Sequence, residues 1–416
     1  MASQLPERKL AIVYHPKSFS VFQLVEAARD LCSIIWVVDN RIEDPDNTSR
    51  VLRRFGTVID VADMEAEQVA TAVSELQPDG IVTFKDNRLR FTADLAAALG
   101  LPFHKPDVAA RLTDKHAQRI ALRDAGVAVP GFQNVPPLHE VAAWTEMAKQ
   151  IRFPAVLKPR LGNEASRDTE RVDSLHTVME IVASGTGEEL VLEEYLGDRD
   201  DGVRACFADY VSVESVVSQG KISHIAVNGR FPPAQPFRES GFFIDAELSP
   251  ADRQAALDTA TAALKALGIE TGCPHTEIKF TPEGARVIEV NGRIGGGVPE
   301  MLADISEIEL LRDALRIALG ESVEYEQPLS ADRVGFLFYV HAPFWMRRVT
   351  AVDGLDQLSA DPNVTEVTLN RGPGKSVDWH EGNHGYVFSV LGTAADHDAL
   401  EAIDHRVHTE VQITGE

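Results

Sequence analysis

The chain has 416 residues, 44% of them hydrophobic and 25% charged, the make-up of a soluble globular protein long enough for two or three domains with separate cores. Against 40 lysines and arginines stand 64 aspartates and glutamates, a formal net charge of −24. That argues against nucleic acid or an anionic membrane as a general partner, because nothing builds a basic stripe, yet it leaves room for a small phosphate-bearing ligand that needs only a few local cations.

Over the first hundred residues apolar bursts alternate with helical patterns, the signature of a parallel sheet with crossover helices. Strands are expected at 10–14, 33–38, 57–61 and 80–84, and helices at 21–31, 65–76 and 89–99. No GxGxxG follows the first strand, so a dinucleotide site lacks support there. A second unit opens with a helix capped by Thr113 or Asp114 and stopped at Gly126. A strand at 155–158, a polar loop, a helix at 174–183 and an apolar run at 190–196 follow, then a hairpin over 210–227 that turns at Gln219-Gly220. An alanine-rich helix at 250–267 leads into a second hairpin, and another helix is expected at 308–319. From about Asp332, short strands with Gly and Pro turns and one helix at 394–406 read as a small separate α+β lobe. Cys32, Cys206 and Cys273 lack metal-ligand spacing and read as buried thiols. No apolar run approaches a membrane span and the N-terminus leads directly into a strand, so a cytoplasmic location is expected.

The second hairpin carries the densest chemistry. It runs His275-Thr276-Glu277-Ile278-Lys279-Phe280, turns through Pro282-Glu283-Gly284, and returns as Val287-Ile288-Glu289-Val290-Asn291-Gly292-Arg293 before Gly295-Gly296-Gly297. Strand side chains alternate faces, so a turn centred near Glu283 sets Glu277 opposite Glu289, with Asn291 further along the same face and Ile278, Ile288 and Val290 turned to the core. Two ionised carboxylates at ~4 Å repel by roughly 4 kcal/mol at an effective dielectric near 20. A divalent cation offsets that cost, and an oxygen-only set of two Glu and one Asn favours Mg²⁺ or Mn²⁺ over zinc. Arg293 adds a planar fork for phosphate or carboxylate.

Lys115 stands where a helix starts and Lys158 where a strand ends, both usual places for gripping phosphate. The loop after Lys158, Pro159-Arg160-Leu161-Gly162-Asn163-Glu164-Ala165-Ser166-Arg167, offers backbone amides and Ser166 to phosphates; it is poor in glycine, which leaves Arg160 or Arg167 as alternative carriers of charge. At the end of the 190–196 run, backbone groups of Glu193-Glu194-Tyr195-Leu196 are placed for an adenine edge and Leu196 for its face.

In these residues the chain resembles the ATP-grasp enzymes, specifically the carboxylate-amine ligases of L-amino-acid ligase type. Lys115 and Lys158 match the family's two nucleotide lysines, Glu193-Glu194-Tyr195-Leu196 its adenine hinge, Glu277, Glu289 and Asn291 its Mg²⁺ ligands, and Arg293 the arginine that holds phosphate and the reaction intermediate. Ser212-Val213-Glu214-Ser215 and Phe237-Arg238-Glu239-Ser240-Gly241 resemble segments lining the ligase active site, and the likeness covers about residues 5 to 415. It departs in the glycine-poor loop and in the acidic run Asp198-Arg199-Asp200-Asp201, from which Asp201 is kept as the ribose candidate.

The resemblance implies an α/β ATP-grasp fold: an N-terminal parallel α/β domain over 1–110, two α+β lobes clamping the nucleotide at 111–205 and 206–325, and a small C-terminal α+β lobe at 326–416. It implies ATP with Mg²⁺ or Mn²⁺, an acylphosphate formed on a substrate carboxylate, and amide formation by an incoming amine with release of ADP and phosphate. His275 or Glu239 would orient or deprotonate that amine, Glu214 would bind a substrate ammonium, and Arg230 and Arg238, flanking a proline-rich lid, would read a substrate carboxylate. The small residues from Gly295 to Val298, including Gly296 and Gly297, leave room for a bulky side chain. Small-molecule substrates and a homodimer are the expected partners. Two alternatives stay open: another ATP-grasp activity, biotin carboxylase-like or purine-pathway, and a non-catalytic nucleotide-binding module.

Overall fold

In the computed structural model the chain is described over residues 8–41, 45–161, 166–185, 188–199 and 204–416. Its first layer comes from apolar runs with no polar face to give to water. β1 (Lys9–Val13), β2 (Ser33–Val38), β3 (Gly56–Asp60) and β4 (Gly80–Val82) form a parallel sheet in the order β3-β2-β1-β4. Leu10, Ile12, Trp36 and Val37 are fully buried, as they must be where crossover helices cover both faces. Those helices are α1 (Val21–Ala28), α2 (Pro45–Leu52), α3 (Ala66–Ser74) and α4 (Leu89–Leu99). Ser20 begins α1 with a capping box, its hydroxyl accepting from the Gln23 N–H while the Gln23 side chain accepts from the Ser20 N–H.

Two helices follow, α5 (Pro106–Thr113) and α6 (Lys115–Asp124), and then a four-stranded antiparallel sheet of β5 (Phe132–Asn134), β6 (Ala155–Pro159), β7 (Glu170–Val172) and β8 (Leu190–Glu194), ordered β5-β8-β6-β7. α7 (Val141–Gln150) and α8 (Leu175–Ser184) cover it, with Trp144, Met147 and Val178 packed on Ala155, Leu157 and Leu192.

The later strands are β9 (Tyr210–Ser218), β10 (Lys221–Arg230), β11 (Gly241–Ile244), β12 (His275–Thr281), β13 (Gly284–Asn291), β14 (Val334–His341), β15 (Val349–Asp353), β16 (Val364–Leu369), β17 (Tyr386–Ala394) and β18 (Gln412–Gly415). All but β15 and β18 join one antiparallel sheet in the order β13-β12-β9-β10-β11-β14-β17-β16. The segment from about Asp332, expected to stand apart, therefore continues the main sheet, with β11 paired to β14 from Gly241↔Phe338 to Ile244↔Gly335. The helices here are α9 (Pro250–Leu267), α10 (Val298–Ile305), α11 (Leu310–Ala318), α12 (Leu355–Ser359) and α13 (His397–Glu410). α9 starts at a Ser249 cap followed by Pro250 and stops at Gly268, whose φ of 76° suits glycine. Its Ala256 and Ala260 let it lie close on Val211, Val213 and Ile278.

Long, strongly patterned elements fall where the sequence placed them, the helices at 89–99 and 250–267 to the residue. The last helix begins later than expected because β17 runs on to Ala394 and Asp396 caps it through the Ala399 N–H at 2.8 Å. α7 was not foreseen, since only Trp144 and Met147 of its ten residues are buried. Ile288 is a correction. The register slips between Glu277 and Ile278, so that Glu277 faces Glu289 while Ile278 faces Val287, and Ile288 is the extra residue of a bulge. Val287 takes the core position and Ile288 turns to the cleft. Among the described residues no helix is long and apolar enough to cross a membrane. Cys32 and Cys273 are buried, and Cys206, expected to be buried, is only partly so.

One core joins Leu24 and Trp36 of the N-terminal layer to Met301 and Leu302 of α10, Leu315 of α11, and Phe242 and Leu337 of the large sheet. It thereby holds the first sheet against the end of the β12–β13 hairpin.

Candidate functional site

Between the parallel N-terminal sheet, the four-stranded antiparallel sheet and the large antiparallel sheet lies a cleft of about 1330 Å³. The hairpin supplies its floor. Glu277 pairs across the strands with Glu289, and His275 with Asn291, and all four line the cleft. β13 is the edge strand, and α6 closes that edge: the Gln118 amide donates to Val290 O and accepts from Val290 N, both at 2.9 Å.

α6 also delivers two cations one turn apart. Lys115 Nζ reaches Glu289 Oε1 at 3.2 Å. Arg119, 1% exposed, meets Glu193 at 3.0 Å and donates to Ile288 O on the bulge. Glu193 also takes Lys158 Nζ at 2.8 Å, so β6, β8, α6 and β13 are joined by one buried charge chain. Burial pushes the Glu193 carboxyl up, but Arg119 and Lys158 outweigh it and hold it at about 2. Lys158 is lowered, chiefly by its own burial.

At the other end of the floor a second network surrounds His275. Its Nδ1 lies 2.5 Å from Glu214, and its Nε2 lies 3.0 Å from Arg230 Nη2 and 3.4 Å from Glu277. Burial disfavours the imidazolium, yet Glu214 and Glu277 prevail over burial and Arg230 and raise His275 to about 9. Glu277 is held at about 2, because His275, Arg230 and Arg293 outweigh its desolvation. Arg230 also grips Glu239. The backbone of Glu239 is fixed from both sides, its N–H donating to Asn383 Oδ1 at 2.7 Å and its carbonyl accepting from His341 Nε2 at 2.8 Å. Arg293 meets Asp86 of the N-terminal layer at 2.6 Å.

The cleft wall gathers the candidate nucleotide residues Lys115, Lys158, Ser166, Glu193, Glu194, Tyr195 and Leu196 with Arg230, Glu239, Arg293, Gly296 and Gly297. Asp201 lies outside the described residues. Glu214 is not on the wall. It is 1% exposed on a central strand buried on both faces, and it serves His275 and Asn228 in place of a substrate ammonium. Arg238 is likewise withdrawn, its guanidinium donating to the carbonyls of Gln235 at 2.8 Å and Ala342 at 3.2 Å. Arg230 faces the cleft but is engaged by Glu239, His275 and Glu277, so its guanidinium orders carboxylates of the protein. At the strand end, Glu193 acts through its side chain, while the N–H groups of Glu194 and Tyr195 bond Gly131 O and Pro154 O. Arg160 binds Asp114 at 2.7 Å and Arg167 binds Glu188 at 2.7 Å, so both pair with neighbouring acids.

Sequence reasoning passed over Arg119, Asp86 and Asn383. Arg119 had a signal, standing one helical turn after Lys115 on the same face. Asp86 and Asn383 had none, since their partners are 207 and 144 residues away.

The residues present suit a hard divalent cation. Two carboxylates and an amide oxygen face one cleft, and both carboxylates are met by cationic groups across short distances. Among the described residues no group of three or more His, Cys, Asp or Glu side chains is placed to hold a metal ion by itself.

A model of the ATP-grasp N-terminal domain matches residues 25–103. The chain is 26% identical over 353 residues to uncharacterized protein y4rH of Sinorhizobium fredii (strain NBRC 101917 / NGR234), covering 78% of this chain and 67% of that protein. It is 26% identical over 274 residues to alanine–anticapsin ligase of Bacillus subtilis, covering 60% of this chain but only 56% of that ligase. Among solved structures, an L-amino acid ligase from Bacillus licheniformis superposes with a TM-score of 0.78 at 22% identity, covering 99% of this chain and 100% of that one. The ADP complex of an N5-carboxyaminoimidazole ribonucleotide synthetase superposes with a TM-score of 0.72 at 15% identity, covering 98% of each chain.

Proposed function

Because the chain has the ATP-grasp fold, we propose that it is an ATP- and Mg²⁺-dependent carboxylate-amine ligase that joins amino acids through an acylphosphate and releases ADP and phosphate. The observation that carries this reading is the cross-strand pair Glu277–Glu289, with Asn291 beside it, facing a cleft that also holds Lys115, Lys158 and Arg293.

In this reading Lys115 and Lys158 hold ATP phosphates and Arg293 holds the transferring group and then the tetrahedral oxyanion. Leu196 and the carbonyl oxygens of the hinge receive adenine, since the N–H groups of Glu194 and Tyr195 already have partners. Magnesium, held by Glu277, Glu289 and Asn291, would neutralise charge on the phosphate oxygens. Glu239 and His275 are both candidates for taking the amine's proton: both line the cleft, and each is engaged, the Glu239 carboxylate by Arg230 and the His275 ring by Glu214 and Arg230. The segments 1–110 and 111–205 are proposed as two folding units and 206–416, most of whose strands share one sheet, as the third, with a cytoplasmic homodimer as the working form.

Purified protein with ATP, Mg²⁺ and pairs of amino acids should release ADP and phosphate only with suitable substrates, and mass spectrometry should find the condensed product. AMP and pyrophosphate would overturn the acylphosphate route. ADP release that depends on bicarbonate and needs no amine would favour the biotin carboxylase-like alternative, and dependence on a phosphorylated sugar the purine-pathway one.

A further inference from the structure

The pairing of β12 with β13 ends at His275↔Asn291, so the next peptide, from which Arg293 departs, has no ladder between these strands to fix it. A residue of the N-terminal half takes that place. His104, 4% exposed in the loop between α4 and α5, sets its Nε2 2.9 Å from the Gly292 carbonyl, 188 residues along the chain. A carbonyl only accepts, so the ring hydrogen of this bond sits on Nε2. The imidazole rests on two glycines, one at each open end of the hairpin. A Cβ on Gly292 would stand 3.0 Å from Nε2 and 2.7 Å from Leu112, and one on Gly272 would stand 3.3 Å from the ring carbon Cε1. Bare backbone at both positions is what lets the ring reach the carbonyl.

Stability alone does not ask for a histidine here. Nδ1 is buried with no hydrogen-bond partner among the described residues, and an apolar side chain of similar size would fill the space without stranding a polar atom. What the imidazole supplies is one donor aimed at the peptide before Arg293. Asp86, from the same N-terminal layer, holds the far end of that residue, its Oδ2 accepting from Arg293 Nε at 2.8 Å and lying 2.6 Å from Nη2. We propose that His104 is a positioning residue for Arg293: by fixing the Gly292 carbonyl it sets the direction in which Arg293 leaves the hairpin, and with Asp86 it makes the N-terminal layer part of the reaction centre. The inference deepens the ligase reading and rests on it for what Arg293 does. A reacting group displaced by about 1 Å loses about a hundred-fold in rate, so a single hydrogen bond behind Arg293 has a measurable effect.

The test compares His104→Leu, which removes the donor, with His104→Gln, whose amide nitrogen stands where Nε2 does. Two readouts are taken on the full chain: the Nε–H nuclear magnetic resonance signal of Arg293, assigned by its disappearance in Arg293→Lys, and steady-state ADP release with ATP, Mg²⁺ and a productive amino-acid pair. His104→Leu should move or broaden the Arg293 signal and lower kcat about a hundred-fold while KM for ATP stays within about two-fold, and His104→Gln should restore the signal and most of the rate. Added to Arg293→Lys, His104→Leu should cost far less than it does in the native chain, since a residue that acts through Arg293 then has little left to position. An unmoved Arg293 signal, an unchanged kcat, a glutamine variant as impaired as the leucine one, or a full additional loss on the Arg293→Lys background would each overturn the assignment. Should the leucine variant fail to fold, His104→Asn, whose amide nitrogen stands at Nδ1, takes its place with the same outcomes. Failure of the ligase reading is distinguishable: a native chain that releases no ADP with any amino-acid pair loses the reaction, and the Arg293 signal still decides whether His104 sets that residue.

Discussion

At the scale of single residues the clearest energetic statement concerns Glu193. Its carboxylate is the shared partner of two buried cations, Lys158 and Arg119. Removing it leaves both uncompensated, and breaking a buried pair in this way costs about 3–5 kcal/mol. Urea denaturation of Glu193→Ala should reveal a loss of that order, and an unchanged midpoint would refute the arrangement. Its pH dependence has a definite sign. With a folded value near 2 against an ordinary 4.5, the unfolded chain binds this proton first, so the contribution is whole above about pH 4.5 and disappears as pH falls toward 2. Glu193→Gln should therefore flatten the acid limb of stability against pH. Glu289 is different in kind: its side chain is 23% exposed, so Glu289→Ala should leave the circular dichroism spectrum unchanged while abolishing ADP release. Retained turnover would remove the metal assignment. Glu277 and Glu289 were legible as the acids of one hairpin, close along the chain, although it is the bulge at Ile288 that brings them opposite each other, since the register otherwise pairs Ile278 with Val287. Glu214 and Arg238 were not, because a strand buried on both faces carries no alternating pattern, and a guanidinium's partners on distant carbonyls leave no local mark.

Among elements, the contact that matters most is α6 against the edge of the large sheet. Gln118 behaves toward Val290 like one residue of an added strand, satisfying its N–H and its C=O at 2.9 Å each. Two further bonds, Val287 N to Ala128 O at 3.0 Å and Arg286 Nη1 to Val129 O at 3.1 Å, extend the closure beyond the helix. An apolar replacement strands two buried backbone groups at about 1–3 kcal/mol each. Gln118→Leu should thus destabilise the protein by about 2–6 kcal/mol and speed hydrogen exchange at the Val290 amide; normal protection there would show that the edge holds without α6. The helix itself was readable from its cap and its glycine stop. Its docking was not, since glutamine on a helix face normally signifies water. The bulge at Ile288 escaped for a related reason: it shifts the register by one residue through main-chain bonding, which the apolar pattern Val287-Ile288 accommodates on either face.

Over the whole molecule the cleft exists because one core seats the N-terminal sheet on α10 and α11, while the large sheet runs unbroken from β13 to β16. The C-terminal strands are consequently part of the site's frame, and His341 and Asn383 from that region hold the backbone of Glu239. A chain ending at Leu329 would expose β11 as an open edge and release Glu239 from both. It should aggregate on expression and show no turnover. A soluble, active truncation would mean that the last strands are dispensable. The sequence by itself determined the elements and the acidic hairpin, through apolar periodicity, caps and turn residues, because all of these act between residues close along the chain. Which charges meet was decided only in three dimensions. Lys158 with Glu193 and Arg119, Arg293 with Asp86, and Glu214 behind His275 are pairings across tens to hundreds of residues, set by how the sheets pack, and burial of one face over another has no signature in any local stretch of sequence.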